Sequence, residues 1–143
     1  MNERYIRQTM IPEIGEAGQE KLKNAKVLIV GIGGLGSPIS LYLTAAGVGQ
    51  IGLIDDDIVS SSNLQRQILY TEAEIGQSKV ECACRRLSAL NSSTRFETYP
   101  NRFTSDNADR LVSTYDIIVD GCDNAATRYL IDDVCSCFKK PYV

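Results

Sequence analysis

The residues with chemistry to offer fall into five short stretches. Gly31-Ile32-Gly33-Gly34-Leu35-Gly36 is a glycine turn of the kind that lets an anion meet bare backbone. Asp55-Asp56-Asp57 follows, and Asp55 lies 19 residues beyond Gly36. That is close to the roughly 20 expected of a carboxylate that holds ribose hydroxyls. Asn63, Arg66 and Gln67 come next, then Lys79, and Asp123-Asn124 closes the set. Arg66 carries a fork of N–H donors suited to phosphate oxygens, and Lys79 adds a second cation. Asp123 offers oxygen to Mg²⁺. Two cations and a metal carboxylate suit a nucleotide triphosphate under attack, whereas a nicotinamide dinucleotide has no evident use for them.

These residues need a scaffold that delivers them to one place. Val27–Val30 is a short apolar, β-branched run, the mark of a strand buried on both faces. It enters the glycine turn, where Gly31 allows the reversal, Gly33 or Gly34 admits phosphate, and Gly36 lets the next helix pack close to the strand. Pro38 suits the first turn of that helix and Gly47 its end. A second strand, Ile51–Ile54, ends on Asp55. Helices are predicted over Glu16–Asn24, Leu64–Leu69, Lys79–Leu90, Asp106–Ser113 and Ala125–Phe138. Val80, Ala83, Leu87 and Leu90 share one face of the third of these. Strands are predicted over Arg95–Tyr99 and Asp116–Asp120, with Tyr142-Val143 opening a fifth. Strands alternating with helices give an α/β fold, a Rossmann-like three-layer α/β/α arrangement on a mainly parallel sheet. In such a sheet the glycine turn, Asp55, Asp57 and Asp123 all sit at the carboxyl ends of strands, where ligands bind. A strand starting at Pro141 leaves the sheet unfinished, so residues 1–143 are expected to be the N-terminal portion of a longer protein.

Composition narrows the function classes. The 143 residues carry a net charge of −3, which gives no electrostatic footprint for nucleic acid or anionic lipid. No apolar run approaches the roughly 20 residues of a membrane span, and the charged N-terminus is not a signal peptide. The five cysteines (Cys82, Cys84, Cys122, Cys135 and Cys137) lack disulfide-framework spacing, which points to a reduced, cytoplasmic chain with structural thiols. There is no histidine, which removes a Ser-His-Asp triad, a Cys-His pair and any His-ligated metal within these residues.

Taken together and in order, Arg4-Tyr5-Ile6-Arg7-Gln8, GIGGLG, Asp55-Asp56-Asp57, SNLQRQ, GQSK and GCDNAATR resemble the E1-like adenylating family of the ThiF/MoeB/HesA type. That family includes bacterial activators of ubiquitin-like sulfur carriers in thiamine and molybdenum-cofactor synthesis, and the ubiquitin-activating enzymes. The resemblance covers nearly the whole chain. It implies that ATP and Mg²⁺ are bound, and that the C-terminal glycine carboxylate of a carrier ending in Gly-Gly attacks the α-phosphate. The products are an acyl-adenylate and pyrophosphate. By the same resemblance, Gly34 contacts the nucleotide and Asp55 holds the ribose. Asn63, Arg66 and Gln67 line the phosphate site, with Ser62, Leu64 and Gln65 of the same string, and Lys79 binds phosphate. Asp123 places Mg²⁺, Asn124 lies near the base or ribose, and Asp57 resembles an acid near the metal. Arg7 reaches across a homodimer interface into the partner's site. Arg7, Arg66, Lys79 and Asp123 are thus the expected catalytic set.

The chain departs from the family in lacking the paired CxxC zinc site, the crossover segment and the acceptor cysteine of a C-terminal half. Zn²⁺ is therefore expected only in a downstream part. Two other readings compete. An NAD(P)-dependent oxidoreductase uses only the glycine turn and Asp55, leaving SNLQRQ and GCDN without a purpose. A non-catalytic partner subunit has no need of Arg66 and Lys79.

Overall fold

The strand Lys26–Val30 (β1) feeds two separate cores, because its side chains alternate across the sheet. In the computed structural model, which describes residues 3–143, Val27 and Ile29 pack into one apolar cluster and Leu28 and Val30 into the other. Strands Gln50–Ile54 (β2), Arg95–Tyr99 (β3) and Ile117–Asp120 (β4) complete a sheet in the order β3-β2-β1-β4, with every pair parallel. Val27 stands opposite both Ile51 and Ile117, and Val30 opposite both Ile54 and Asp120. The strand order therefore reverses beside β1, which opens a crevice at the carboxyl ends.

Among the described residues, six α-helices accompany the sheet: Ile6–Thr9 (α1), Gly15–Asn24 (α2), Gly36–Ala46 (α3), Lys79–Leu90 (α4), Ser105–Thr114 (α5) and Ala125–Phe138 (α6). Residues of α3 and α4 belong to the first cluster, with Val80, Ala83 and Leu87 fully buried. Residues of α5 and α6 belong to the second, with Leu111 and Ile131 closed to solvent. The result is the three-layer α/β/α arrangement. Gly47 ends α3 in the left-handed conformation (φ 90°), and Pro38 sits in its first turn. Pro141, Tyr142 and Val143 run beside β4, with Asp120 N–H donating to the Val143 carbonyl at 2.7 Å, as a fifth strand would begin. No helix among the described residues is long and apolar enough to cross a membrane.

Two expectations need correction. Leu64–Leu69 is not a helix: a 3₁₀ turn over Ser61–Asn63 runs into successive turns. The Ser60 and Ser62 hydroxyls pair with each other at 3.0 Å, and Gln67, Leu69 and Tyr70 are drawn inward. Leu90 is not buried with its helix face, because it closes α4 where the helix leaves the core. In addition to the predicted elements, Glu3–Thr9 forms a 3₁₀ turn and the short helix α1, for which no periodic signal exists. Tertiary contacts hold it: Asn91 Nδ2 donates to Tyr5 Oη at 2.8 Å, and Gln8 and Gln19 both donate to the Ala46 carbonyl.

Candidate functional site

The glycine turn is fixed by the residues around it. Gly31 has φ 88°, and a Cβ there would lie 2.8 Å from the Gly121 carbonyl oxygen, so two exit loops touch backbone to backbone. The Ile32 peptide is held on both sides. Its N–H donates to Asp55 Oδ2 at 2.7 Å, and its carbonyl accepts from Tyr70 Oη at 2.6 Å. Burial, then the charge of Asp55, pushes the Tyr70 phenol far above its ordinary range, so it remains a donor. Asp55 Oδ1 also accepts from the Asp57 N–H at 2.8 Å. The acid expected at the ribose therefore also ties the end of β2 to the glycine turn.

Next to this turn lies a cleft of about 500 Å³. Gly33, Gly34, Asp55, Asp57, Asn63, Arg66, Gln67, Lys79 and Asp123 all line it. Residues 90 positions apart in the chain thus meet, as the sequence reading requires. Lys79 opens α4 from the floor of the cleft. It is 3% exposed, and its Nζ lies 3.0 Å from Asp57 Oδ2. Arg66 stands at the rim with its aliphatic stem over Gly34, while its Nη1 donates to the Ser62 carbonyl at 3.4 Å. Gln67 is buried beside Gly33, and its Oε1 has no hydrogen-bond partner among the described residues, a polar group that a ligand or water would satisfy.

A second, smaller lobe of about 130 Å³ shares Asp55, Asp57, Cys122 and Asp123 with the first. Gly31, Asn101, Phe103 and Asn124 line it. Asn124 also caps α6, its Oδ1 accepting from the Thr127 N–H at 2.9 Å. Asn124→Ala is expected to cost about 1 kcal/mol, as loss of a helix N-cap does, which thermal melting would show as a drop of about 3 °C.

Other members of the expected set lie elsewhere. Ser62, Leu64 and Gln65 do not line the cleft: the Ser62 hydroxyl pairs with Ser60, Leu64 packs on the first cluster, and Gln65 faces solvent. Gly36 sits behind the turn, where a Cβ would approach the Gly31 carbonyl oxygen to 2.1 Å. Arg7 is exposed on α1 and does not line the cleft of its own chain. Sequence reasoning missed Tyr70, Cys122 and Arg128. The last belongs to GCDNAATR, but its distance from the aspartate gives no sign that its guanidinium folds back to the cleft. Burial, then the hydrogen bond to Asp120, raises the Cys122 thiol, and burial likewise raises Cys82 and Cys135. These three therefore stay thiols at neutral pH. All five cysteines are free.

Asp123 has no hydrogen-bond or ionic partner among the described residues, and it faces a cleft that Asp57 also lines. The carboxylate oxygens of Asp55, Asp56 and Asp57 lie within 4.8 Å of one another. This donor set fits Mg²⁺, which takes oxygen from one or two carboxylates and keeps water for the rest.

Known proteins share both sequence and fold. The chain is 53% identical over 140 residues to the adenylyltransferase and sulfurtransferase MOCS3 of Culex quinquefasciatus, covering 98% of this chain and 32% of that protein. It is 49% identical over 141 residues to the sulfur carrier protein adenylyltransferase of Thermus thermophilus, covering 99% and 52%. Its fold matches the crystal structure of the E. coli tRNA N6-threonylcarbamoyladenosine dehydratase TcdA in complex with ATP, with TM-score 0.90 and 28% identity, over 97% of this chain and 57% of that one. The chain thus spans about a third of the length of one of these curated relatives and about half of the other. Residues 5–143, nearly all of the chain, match one family throughout, and the chain belongs to the ThiF family.

Proposed function

We propose that this domain binds ATP with Mg²⁺ and adenylates the C-terminal carboxylate of a ubiquitin-like sulfur carrier ending in Gly-Gly, one that serves thiamine or molybdenum-cofactor synthesis. One observation carries the reading: Arg66, Lys79 and Asp123 converge on a single cleft with the glycine turn. The names of the two curated relatives, both adenylyltransferases, and the ATP held by a neighbour of the same fold support it.

The chemistry asks for little covalent help. The attacking carboxylate is ionised at neutral pH, so no general base is needed and the absence of histidine is no obstacle. The protein's work is to position reactants and offset charge. Backbone N–H groups at the glycine turn and the start of α3 receive phosphate. Arg66 grips phosphate oxygens from the rim, Lys79 meets them from the floor, and Asp55 and Asn124 stand on the ribose and base side. Asp123, with Asp57 nearby, holds Mg²⁺, which supplies charge neutralisation at the phosphates when bound.

Arg7 serves the site of a second copy, and the protein acts as a homodimer. Its exposure on α1, away from its own cleft, supports this role. Carrier-dependent exchange of pyrophosphate into ATP by the full-length protein tests the reaction, and no exchange with folded protein and its cognate carrier would refute it. Arg7→Ala and Arg66→Ala proteins, each nearly inactive alone, are expected to regain about a quarter of the wild-type rate when mixed. Half of such dimers are mixed, and each has one intact site. No recovery after confirmed subunit exchange would return Arg7 to the surface.

A further inference from the structure

Among the described residues Asp123 has no side-chain partner, so the backbone of residues 120–124 decides where its carboxylate sits. One side chain brackets that backbone. Arg128 Nη2 donates to the Cys122 carbonyl at 2.9 Å, and Arg128 Nε faces Asp120 Oδ2 at 3.6 Å. Asp120 Oδ1 in turn accepts from the Cys122 N–H at 3.0 Å and from the Cys122 thiol at 2.7 Å. The Gly121 N–H donates to the Val30 carbonyl at 2.8 Å and fixes the loop to β1. The bracket is closed, running from guanidinium to carboxylate, to the Cys122 peptide, and back to the guanidinium. Only a planar fork reaches both ends of it, since an ammonium at the same place would serve one.

We infer that Arg128 is a positioning residue for Asp123, holding the loop after β4 so that the Asp123 carboxylate faces the metal–nucleotide complex. The inference rests on the proposed nucleotide reading. The ion pair to Asp120 is long and the Arg128 side chain is 54% exposed, so its direct contribution to folding is small. Its effect passes instead through the carboxylate of Asp123, the residue next to the Cys122 carbonyl that it holds.

Calorimetric titration of the full-length protein with AMPCPP, a non-hydrolysable ATP analogue, separates these roles when run in Mg²⁺ and again in EDTA. Wild type is expected to bind the analogue more tightly in Mg²⁺. Arg128→Gln is expected to keep its EDTA affinity within twofold while losing about tenfold in Mg²⁺, as removal of a group that orients a metal ligand does. Asp123→Asn should show the same deficit, the double variant no further loss, and Arg128→Lys an intermediate one. Wild-type affinity for the analogue in Mg²⁺ with Arg128→Gln would overturn the inference, as would an equal loss in EDTA. A melting temperature lowered by more than about 5 °C would assign Arg128 to the fold instead. Absence of any Mg²⁺-dependent binding by wild type would remove the nucleotide reading itself, and this inference with it.

Discussion

Lys79→Met is expected to lower carrier-dependent pyrophosphate exchange by about 10³-fold, the scale of losing a charge-stabilising donor at the reacting centre. The same variant should melt at or slightly above the wild-type temperature. Lys79 is 3% exposed, so its ammonium has given up most of its water. Its partner Asp57 has a side chain 68% exposed. Removing the lysine therefore strands no buried charge, because the aspartate is already hydrated. Methionine fills a similar volume without the desolvation cost. Two measurements decide the matter: exchange rates at saturating ATP, and thermal melts without nucleotide. Exchange within threefold of wild type would sink the role assigned to Lys79. A large drop in melting temperature would instead make it a structural lysine.

Gly36→Ala is expected to destabilise the domain by about 3 kcal/mol or more, the upper range for overpacking a tight site. For a chain of this length that corresponds to a fall of about 10 °C in melting temperature. The added methyl would meet the Gly31 carbonyl oxygen at 2.1 Å and its carbon at 3.0 Å, both backbone atoms that no rotamer change can clear. The turn would have to move, and with it Gly33 and Gly34 at the cleft. Gly76→Ala is the control. Gly76 has φ 88° but nothing within 4 Å of its Cβ position, so it should cost only the 1–2 kcal/mol of a left-handed residue. Equal melting temperatures for the two variants would show that the close approach is not a constraint.

The strands could be read from sequence because their burial demands it. Val27–Val30 and Ile51–Ile54 are closed on both faces, and such runs leave few other conformations that bury them. The long helices declared themselves through spacing and punctuation, with Gly47 marking an end that the structure confirms. Segment 61–70 did not. Its fold is set by a buried carboxamide at Gln67 and by the Tyr70 hydroxyl reaching Ile32, 38 residues away, and neither contact leaves a local trace. The site divides the same way. Arg66, Lys79 and Asp123 stood out because two cations and an oxygen donor beside a glycine turn suit a triphosphate with Mg²⁺. Arg128 looked like any charge on the first turn of a helix, since a helical pattern does not show that it folds back onto the strand end and loop before it.

The two separate apolar clusters give the cleft two jaws that do not share a hinge. Lys79 rides on α4, seated in the first cluster, while Asp123 precedes α6, seated in the second. The sheet joins them. A substitution deep in either cluster can therefore slide one jaw against the other and misalign cation and carboxylate by a fraction of an ångström while both stay folded. Damage of that sort would reach the chemistry at temperatures where the spectrum of the intact fold still looks normal.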